Sequence, residues 1–333
     1  MNRYARQITL PELGETGQVR LKSAHVLVVG AGGLAAPVLQ YLVGAGIGGI
    51  RLVDPDVVDH SNLHRQTLFR QRDIGQSKVN AATAHLAGLN PDCLIKPLQC
   101  ALDPANVAML CEGVDLVLDC ADSFAASYIL SDHCLANQIP LISASVTGLS
   151  GYVGGFCAKA PSLRALFPDL PQRMGNCAED GVLGPVVGMI GAMQAQMAMA
   201  VIARIAPSPL GQLTTIDAQA WRFGGFRFDG APEPENAARF IASQDLRADD
   251  FIADLRAAGE APLAHPNARR LNVPDFGPTG PRPAPNQRAV LCCRSGLRAW
   301  QAAERLRPHW GGEITLVAFG DVPNSQETQG ELA

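Results

Sequence analysis

The chain has 333 residues, of which 17% are charged and 47% hydrophobic, and its net charge at pH 7 is −4. This balance gives no overall basic surface, so nucleic acid is not expected as a partner. Nine cysteines are scattered without a CxxC pair, which predicts reduced thiols, a cytoplasmic location and no structural zinc.

One stretch, residues 186–203, carries no charge over about the length of a membrane span. It contains Gln194 and Gln196, two glycines, and follows Gly184-Pro185. These polar and small residues favour a buried helix, for example one at a subunit contact, over a membrane-spanning helix. We therefore expect no association with a membrane.

The first part of the chain alternates between strand and helix patterns. Buried strands are predicted at residues 24–30, 49–54, 94–99, 114–120 and 140–146. Helices are predicted at residues 33–46, 77–89 (with Ser77 as N-cap) and 123–137. This alternation predicts an α/β fold with a Rossmann-like, doubly wound and mostly parallel sheet. Shorter strands at 151–157, 213–217 and 223–228 predict an antiparallel extension.

The second part of the chain is predicted to form a smaller α/β unit. It should contain a helix near 247–258, a proline-rich loop at 274–285, a strand at 289–292, a helix near 297–307 and a strand at 314–319. The predicted organisation is a first domain at 1–230, a linker at 231–245, a second domain at 246–325 and a tail at 326–333.

A glycine turn follows the first predicted strand, with Gly30, Gly32 and Gly33 before a helix of small residues. Such a turn presents backbone N–H groups and the positive end of a helix to a phosphate. Asp54, at the end of the second strand, is placed to bond a ribose hydroxyl. An NAD-dependent dehydrogenase fits these features as well as an ATP-using enzyme does.

Polar residues downstream favour a triphosphate. Arg65 and Lys78 would bring two cations to the turn, and Asn62 and Gln66 would add neutral donors. Asp122, after the strand at 114–120, is placed either to hold Mg²⁺ against the phosphates or to cap the next helix.

Six short motifs occur in order and together resemble the MoeB/ThiF adenylyltransferases, relatives of the ubiquitin-activating enzymes. They are Arg3-Tyr-x-Arg6-Gln-Ile, Gly30-x-Gly-Gly-Leu, Asp54-x-Asp56, Ser61-Asn-Leu-x-Arg-Gln66, Gly75-x-x-Lys78 and Asp119-Cys-x-Asp122. The resemblance implies a homodimer that uses ATP and Mg²⁺ to adenylate the C-terminal glycine of a ubiquitin-like sulfur carrier ending in Gly-Gly.

The resemblance also implies roles for individual residues. Asp122 would bind the metal, and Arg6 would reach the nucleotide of the neighbouring subunit. The other predicted ATP-binding residues are Gly30, Gly32, Gly33, Asp54, Asp56, Asn62, Arg65, Gln66 and Lys78. Arg65 and Lys78 are in addition predicted to be catalytic. Two CxxC pairs usual in these enzymes are missing here, so the antiparallel region should hold together without zinc.

Two cysteines are candidates for sulfur chemistry. Cys177 matches the mobile cysteine of the same family, which takes part in sulfur transfer or in a covalent carrier adduct. Cys293 ends a strand and opens a loop whose N–H groups can cradle an anion. This loop resembles the active-site loop of rhodanese sulfurtransferases, in which the matching cysteine carries a persulfide. The Asp-Val-Arg strand region usual before it is expected to be shortened, which predicts a partial rhodanese-like domain.

The leading hypothesis is therefore ATP-dependent adenylation of a carrier protein, followed by transfer of sulfur from a persulfide donor to form a thiocarboxylate. An NAD-dependent oxidoreductase is the alternative from another enzyme class, although it leaves Arg65 and Lys78 unexplained. A non-catalytic or peptide-modifying relative with the same fold is the third hypothesis.

Overall fold

The computed structural model describes residues 2–169 and 181–320. The chain divides into two compact units, Met1–Glu235 and Asn236–Ala333. Each unit has its own β-sheet.

In its described residues, the first unit has eight strands: β1 (His25–Val29), β2 (Gly49–Val53), β3 (Leu94–Leu98), β4 (Leu116–Asp119), β5 (Leu141–Thr147), β6 (Ser150–Phe156), β7 (Gln212–Asp217) and β8 (Arg222–Arg227). Its helices are α1 (Ala5–Ile8), α2 (Gly14–Ser23), α3 (Ala35–Ala45), α4 (Lys78–Ala87), α5 (Val107–Cys111), α6 (Phe124–Ala136), α7 (Leu163–Leu166) and α8 (Gly184–Ala203).

The eight strands form one sheet in the order β3-β2-β1-β4-β5-β6-β7-β8. Neighbours from β3 to β5 are parallel, and neighbours from β5 to β8 are antiparallel. The predicted mixed α/β fold is therefore confirmed. Because the chain leaves β1 toward β2 on one side and β4 lies on the other, β1 and β4 flank the crevice where open sheets of this type bind ligands.

The centre of the sheet is buried on both faces. The last four residues of β1 and all four of β4 are buried, as expected for parallel strands covered by helices on both sides. Helix α8 packs against α3, β5 and β6. Among the described residues, α8 is the one helix long and apolar enough to cross a membrane, and half of it is buried in the first unit.

Helix ends follow the local sequence. Helix α3 ends at Gly46, which adopts the left-handed conformation (φ 84°) that glycine favours at this position. Ser123 caps α6 by accepting a hydrogen bond from the N–H of Ala126, so the capping role considered for Asp122 belongs to its neighbour. Ser77 occupies the predicted N-cap of α4, but its side chain makes no capping hydrogen bond.

The second unit is a smaller, wholly parallel sheet. Its elements are β9 (Arg239–Phe240), β10 (Phe251–Asp254), β11 (Arg269–Arg270), β12 (Ala289–Cys293), α9 (Leu297–Leu306) and β13 (Ile314–Ala318). The strand order is β11-β10-β12-β13-β9. The predicted strands at 289–292 and 314–319 and the helix near 297–307 are confirmed.

The prediction of a helix near 247–258 is wrong, because β10 occupies this region. All four residues of β10 are buried, and a short strand buried on both faces gives an apolar run without the alternation that marks a half-exposed strand. The segment 231–245, expected as a linker, contains β9, which pairs with β13. A two-residue strand is too short to leave a periodic signal.

Gln194 is a buried polar residue in the middle of α8 that joins three elements. Its Nε2 donates to the carbonyl oxygens of Asp119 (2.7 Å) and Ile142 (3.1 Å), and its Oε1 accepts from the Cys120 thiol (3.4 Å). Helix α8 is thereby attached to the ends of β4 and β5 by hydrogen bonds that water cannot replace.

Replacing Gln194 with alanine should lower the free energy of unfolding by about 2–4 kcal/mol, because two buried carbonyl groups lose their donor. Urea denaturation measures the change. Gln71→Ala, at an exposed position, is the matched control and should stay within about 0.5 kcal/mol of the parent. A Gln194→Ala variant as stable as this control would contradict the bridging role.

Candidate functional site

The glycine turn begins at the carboxyl end of β1, level with the ends of β2 and β4. Gly30 has φ +93°, and its N–H donates to the carbonyl of Val53 (2.8 Å). A Cβ at Gly30 would lie 2.6 Å from the carbonyl oxygen of Cys120. Both the left-handed backbone and the close approach to the Cys120 carbonyl require glycine here. No side chain therefore separates the turn after β1 from the end of β4.

Asp54 holds this turn in place. Its carboxylate accepts the N–H of Ala31 (2.7 Å) and the N–H of Asp56 (2.8 Å). The side chain is almost completely buried, and burial raises its pKa above the ordinary 3.8, although the Lys78 ammonium and the two N–H groups act in the opposite direction. Each carboxylate oxygen keeps a further acceptor position, so contact with a ribose hydroxyl remains chemically possible.

Lys78 is the first residue of α4 and reaches back toward the same carboxylate. Its Nζ lies 2.7 Å from Oδ2 of Asp56 and 4.0 Å from Oδ1 of Asp54. Only 8% of the Lys78 side chain is exposed, whereas the Asp56 side chain is 62% exposed. Lys78 is therefore a nearly buried cation whose closest partner lies at the surface, where an incoming anion can compete for it.

The segment that follows β2 brings further polar groups to the turn. A short 3₁₀ turn, His60–Asn62, is capped by Asp59, which accepts the N–H of Ser61 (2.8 Å). A Cβ on Gly33 would lie 3.3 Å from the carbonyl oxygen of Arg65, so Arg65 packs directly on the glycine turn. Its guanidinium contacts the Ser61 carbonyl (3.3 Å) and the His64 ring (2.8 Å).

Gln66 lies on the inner side of the same segment. It is 4% exposed, and its Nε2 would be 3.6 Å from a Cβ on Gly32. Within the described part of the chain, its buried Oε1 has no hydrogen-bond partner. Buried polar atoms in native proteins are almost always paired, so an unpaired one beside an open glycine turn fits a position completed by a ligand or by water.

Two acidic residues of different character lie at the carboxyl end of β4. Asp119 is fully buried, and this burial raises its pKa to about 6, although bonds from Ser143 (2.8 Å) and the Ala121 N–H (3.2 Å) favour the charged form. Asp122 is exposed at the carboxyl end of the strand, just before α6. Of these two residues, Asp122 is the one that presents its carboxylate to solvent near the crevice between β1 and β4.

Arg6 lies on α1, near the end of α3 that is farther from the glycine turn. It is exposed on α1, and the neighbouring Gln7 donates to the carbonyl of Ala45 at the end of α3 (2.9 Å). Since α3 starts at the glycine turn and has 11 residues, its ends are about 16 Å apart. The structure does not bring Arg6 to the other predicted ATP-binding residues of its own chain.

In the second unit, Cys293 ends β12 and points into the loop before α9. Its Sγ accepts the N–H groups of Gly296 (3.1 Å) and Ala299 (3.4 Å). Gly296 has φ +89°, which allows the loop to turn its N–H toward the sulfur. Burial raises the pKa of the Cys293 thiol, and the backbone N–H groups and the Arg298 charge partly offset this effect.

A buried ion pair near Cys293 was not predicted from the sequence. Asp254, at the end of β10, forms a two-point pair with Arg256 (3.0 and 2.9 Å). Strand β10 ends in Asp254, so Asp254-Leu255-Arg256 carries an Asp-x-Arg spacing in the region that the sequence predicts to be shortened. Next to it, Glu260 holds Arg298 through two bonds (2.8 and 2.7 Å). The Asp-x-Arg spacing was the available signal.

Cys177, the other predicted sulfur-transfer residue, lies outside the described residues. The sequence interpretation did not include the buried hydrogen bonds of Asp119 and Gln194 beneath the end of β4. Asp119 belonged to a quoted motif, but its burial could not be derived from the motif. Gln194 gave no signal beyond being a polar residue in an apolar helix.

Comparison with known proteins places these residues in a family context. The ThiF family profile matches residues 4–236. "Adenylyltransferase and sulfurtransferase MOCS3" of Drosophila grimshawi is 42% identical over 229 residues, which are 68% of this chain and 51% of that protein. "SAMP-activating enzyme E1" of Haloferax volcanii is 39% identical over 225 residues, 67% of this chain and 83% of that protein.

The chain spans about half the length of the MOCS3 relatives it matches. Among solved structures, E. coli MccB with ATP superimposes with a TM-score of 0.61 at 22% identity, covering 70% of this chain and 73% of that one. At this identity the likeness concerns the fold.

Replacing Lys78 with methionine should make stability more sensitive to pH. Asp54 already has a raised pKa, and without the lysine charge its ionised form would be still less favourable. A group with a raised pKa in the folded state costs stability as pH rises through that value. At pH 5 the variant should therefore be about as stable as the parent. At pH 8 its free energy of unfolding should be lower than that of the parent by roughly 1–3 kcal/mol, with a correspondingly lower Tm.

Thermal unfolding at both pH values measures this difference, with Lys159→Met, at an exposed position, as control. An equal loss at pH 5 and pH 8 would show that Lys78 contributes packing alone and does not balance the Asp54 charge.

Proposed function

Because the chain belongs to the ThiF family, we propose that it is an adenylyltransferase that uses ATP to activate the C-terminal carboxylate of a small carrier polypeptide. The observation that supports this most directly is the placement of two cations around the glycine turn. The carbonyl oxygen and Cγ of Arg65 pack on Gly33, so its guanidinium is within reach of the turn. Lys78 lies beside Asp54, whose other oxygen binds the turn. A pyrophosphate bridge held by backbone N–H groups does not need both cations.

In this proposal, ATP is a substrate bound at the carboxyl ends of β1, β2 and β4. The N–H groups of the glycine turn and the N-terminus of α3 face the phosphates. Asp54 bonds the ribose through its remaining acceptor positions, Asn62 and Gln66 add donors, and Asp56 releases Lys78 to a phosphate oxygen. The buried, unpaired Oε1 of Gln66 is an acceptor, so it supports a ligand that also donates hydrogen bonds, as ATP does through its ribose hydroxyls and adenine amino group.

Asp122 is the proposed metal-binding residue. Mg²⁺ is commonly bound by one or two carboxylates together with substrate phosphates, so a single exposed carboxylate at the edge of the site fits its needs. When bound, the ion would supply positive charge to the phosphates. The remaining positive charge comes from Arg65 and Lys78.

The reaction needs positioning and charge neutralisation rather than a general base. A terminal carboxylate has a pKa of about 3.5 and is ionised at neutral pH, so it attacks the α-phosphorus directly. The new bond joins a carboxylate oxygen to phosphorus, and pyrophosphate leaves with its electron pair. Arg65 and Lys78 stabilise the charge that develops on the phosphate oxygens.

A second stage would replace AMP by sulfur. In the proposal, Cys293 carries a persulfide received from a sulfur donor. Its outer sulfur attacks the carbonyl carbon of the acyl-adenylate and AMP leaves, so the carrier is joined to Cys293 through an acyl disulfide. An external thiol then attacks Sγ of Cys293, the S–S bond breaks, and the carrier leaves as a thiocarboxylate. A second external thiol reduces the remaining mixed disulfide and restores the Cys293 thiol. The N–H groups of Gly296 and Ala299 already bind Sγ and would stabilise negative charge there. Cys177 remains the candidate for a further sulfur-transfer step or a covalent adduct with the carrier.

The proposed carrier is a ubiquitin-like protein ending in Gly-Gly, as the resemblance of the six motifs to the MoeB/ThiF enzymes implies. We also propose a homodimer. Arg6 lies at the far end of α3 from its own glycine turn, so it can bind nucleotide only in a second copy.

Exchange of pyrophosphate into ATP should occur only when a carrier ending in Gly-Gly is present. Arg65→Ala and Lys78→Ala should each lower the exchange kcat/KM by about 100-fold or more, because each removes one of the proposed charges on the transition state. Arg72→Ala, whose side chain is 79% exposed, is the control and should leave the rate unchanged.

Far-UV circular dichroism of each variant checks that the fold is retained. Exchange that occurs with short peptides in place of a carrier would identify a peptide substrate. In a separate titration, an increase in NADH fluorescence on adding the protein would instead support the oxidoreductase. Exchange with none of the carriers, or full exchange by the Lys78→Ala variant, would contradict the proposal.

Replacing Cys293 with alanine should abolish thiocarboxylate formation and leave pyrophosphate exchange within about twofold, because Cys293 has no part in the phosphoryl step. Mass spectrometry of the carrier, which becomes 16 Da heavier when sulfur replaces oxygen, gives the first readout. Cys292→Ala is the matched neighbour, since alternation along β12 directs its side chain to the other face. Equal loss of both activities in Cys293→Ala would contradict this division.

A further inference from the structure

The motif that contains Arg6 also contains an aromatic residue, Tyr4, to which the proposed reaction gives no role. Arg6 is exposed on α1, a helix of only four residues. A helix of about one turn is not stable by itself in water, so contacts with the rest of the unit must hold α1 in place. The direction in which Arg6 points therefore depends on what the neighbouring residues contact.

Tyr4 immediately precedes α1 and packs on the C-terminal end of α3. A Cβ on Gly46 would lie 2.6 Å from two carbon atoms of the Tyr4 ring, so the ring lies directly on this glycine. The Tyr4 hydroxyl accepts a hydrogen bond from Nδ2 of Asn90 (2.9 Å). Nδ2 of Asn90 also donates to the carbonyl of Val43 in the last turn of α3 (2.8 Å). Since Asn90 is buried, it fixes the Tyr4 ring to α3 from the inside of the unit.

The residue after Arg6 binds to the same end of α3. Nε2 of Gln7 donates to the carbonyl of Ala45 (2.9 Å), which also accepts a hydrogen bond from Gln18 of α2 (3.0 Å). The Tyr4 carbonyl accepts the N–H of Ile8 (2.9 Å) and so begins the single turn of α1. Arg6 thus lies between two residues, Tyr4 and Gln7, that are both attached to the end of α3 farther from the glycine turn.

We propose that Tyr4, supported by Asn90, is a positioning residue that directs Arg6 to the nucleotide bound in a second copy of this chain. The inference rests on the proposed adenylation and on the proposed homodimer. A cation stabilises the transition state best when it already lies where charge develops, since ordering it during the reaction adds to the barrier. The contacts of Tyr4 supply this order before the nucleotide binds.

A contribution of Tyr4 to stability alone explains these contacts less well. Tyr4 is half-buried, and its neighbours Arg3 and Ala5 are exposed, so the ring lies at the edge of the first unit and not in its core. Loss of the ring should therefore release α1 and leave the sheet intact. Hydrogen exchange of residues 3–9 should become faster in Tyr4→Ala, with an unchanged far-UV circular dichroism spectrum.

The first test measures pyrophosphate exchange by the full-length protein with a carrier ending in Gly-Gly. Arg6→Ala should lower kcat/KM by about 100-fold, and Tyr4→Ala by about 10-fold or more, because a misplaced cation loses most of its effect. Tyr4→Phe keeps the ring on Gly46 and loses one hydrogen bond, so it should stay within about threefold of the parent. When Arg6 is already alanine, Tyr4→Ala should have no further effect, because Tyr4 acts through Arg6.

Mixed dimers, isolated through two different affinity tags, test whether Tyr4 acts across the subunit boundary. In the first, one chain carries Tyr4→Ala and the other Lys78→Ala. The Tyr4→Ala chain keeps its own Lys78 and receives Arg6 from a chain with an intact Tyr4. One of the two sites is then complete, and about half of the parent rate is expected. In the second, both changes are in one chain and its partner is the parent chain, so neither site is complete and the rate should stay low.

Arg72→Ala, at an exposed position, replaces Tyr4→Ala in the control dimers, and both arrangements should then give about half of the parent rate. Should Tyr4→Ala fail to fold or to dimerise, Tyr4→Leu takes its place in the same two arrangements.

Equal rates in the two mixed dimers, or a further fall when Tyr4→Ala is added to Arg6→Ala, would overturn the positioning role. A parent protein without any exchange would contradict the adenylation itself, and this inference with it. An active parent whose Arg6→Ala or Tyr4→Ala variant exchanges at the full rate would contradict the inference and leave the adenylation standing.

Discussion

A single buried carboxylate organises the first unit. Asp54 accepts N–H groups from the glycine turn and from the segment after β2, and it lies 4.0 Å from the Lys78 ammonium. Burial makes this charge costly, so its partners must stay in place for the carboxylate to remain ionised. The turn after β1, the end of β2 and the start of α4 are therefore fixed to one another by hydrogen bonds and charge as well as by packing.

The interactions of Asp54 explain why a positive charge lies near the glycine turn. The buried carboxylate of Asp54 attracts the Lys78 ammonium toward the protein interior. The exposed carboxylate of Asp56 binds the same ammonium at the surface, where a phosphate would replace it. On the other side of the turn, Arg65 is held by contacts with main chain and with His64, which an anion can replace at little cost. Lys78 and Arg65 thus lie near a turn made of backbone, and the proposed adenylation depends mainly on their two charges and on the N–H groups of that turn.

The sequence predicted the first unit well because its patterns are local. The alternation of strand and helix patterns predicted the parallel sheet, and Gly30 indicated the position of the turn. The predictions were wrong where structure depends on partners far along the chain. Strand β10 is buried by neighbours on both faces, so its pattern does not differ from that of a buried helix. For the same reason the burial of Asp119, and its link through Gln194, could not be derived from spacing.

The central claim is that the glycine turn and its two cations bind a triphosphate. A crystal structure with a non-hydrolysable ATP analogue tests it most directly. The account predicts that the Lys78 ammonium leaves Asp56 and that it and the Arg65 guanidinium lie within 3.2 Å, roughly the limit of a hydrogen bond, of phosphate oxygens. A nucleotide bound with Lys78 still paired to Asp56, and with Arg65 directed to solvent, would contradict it.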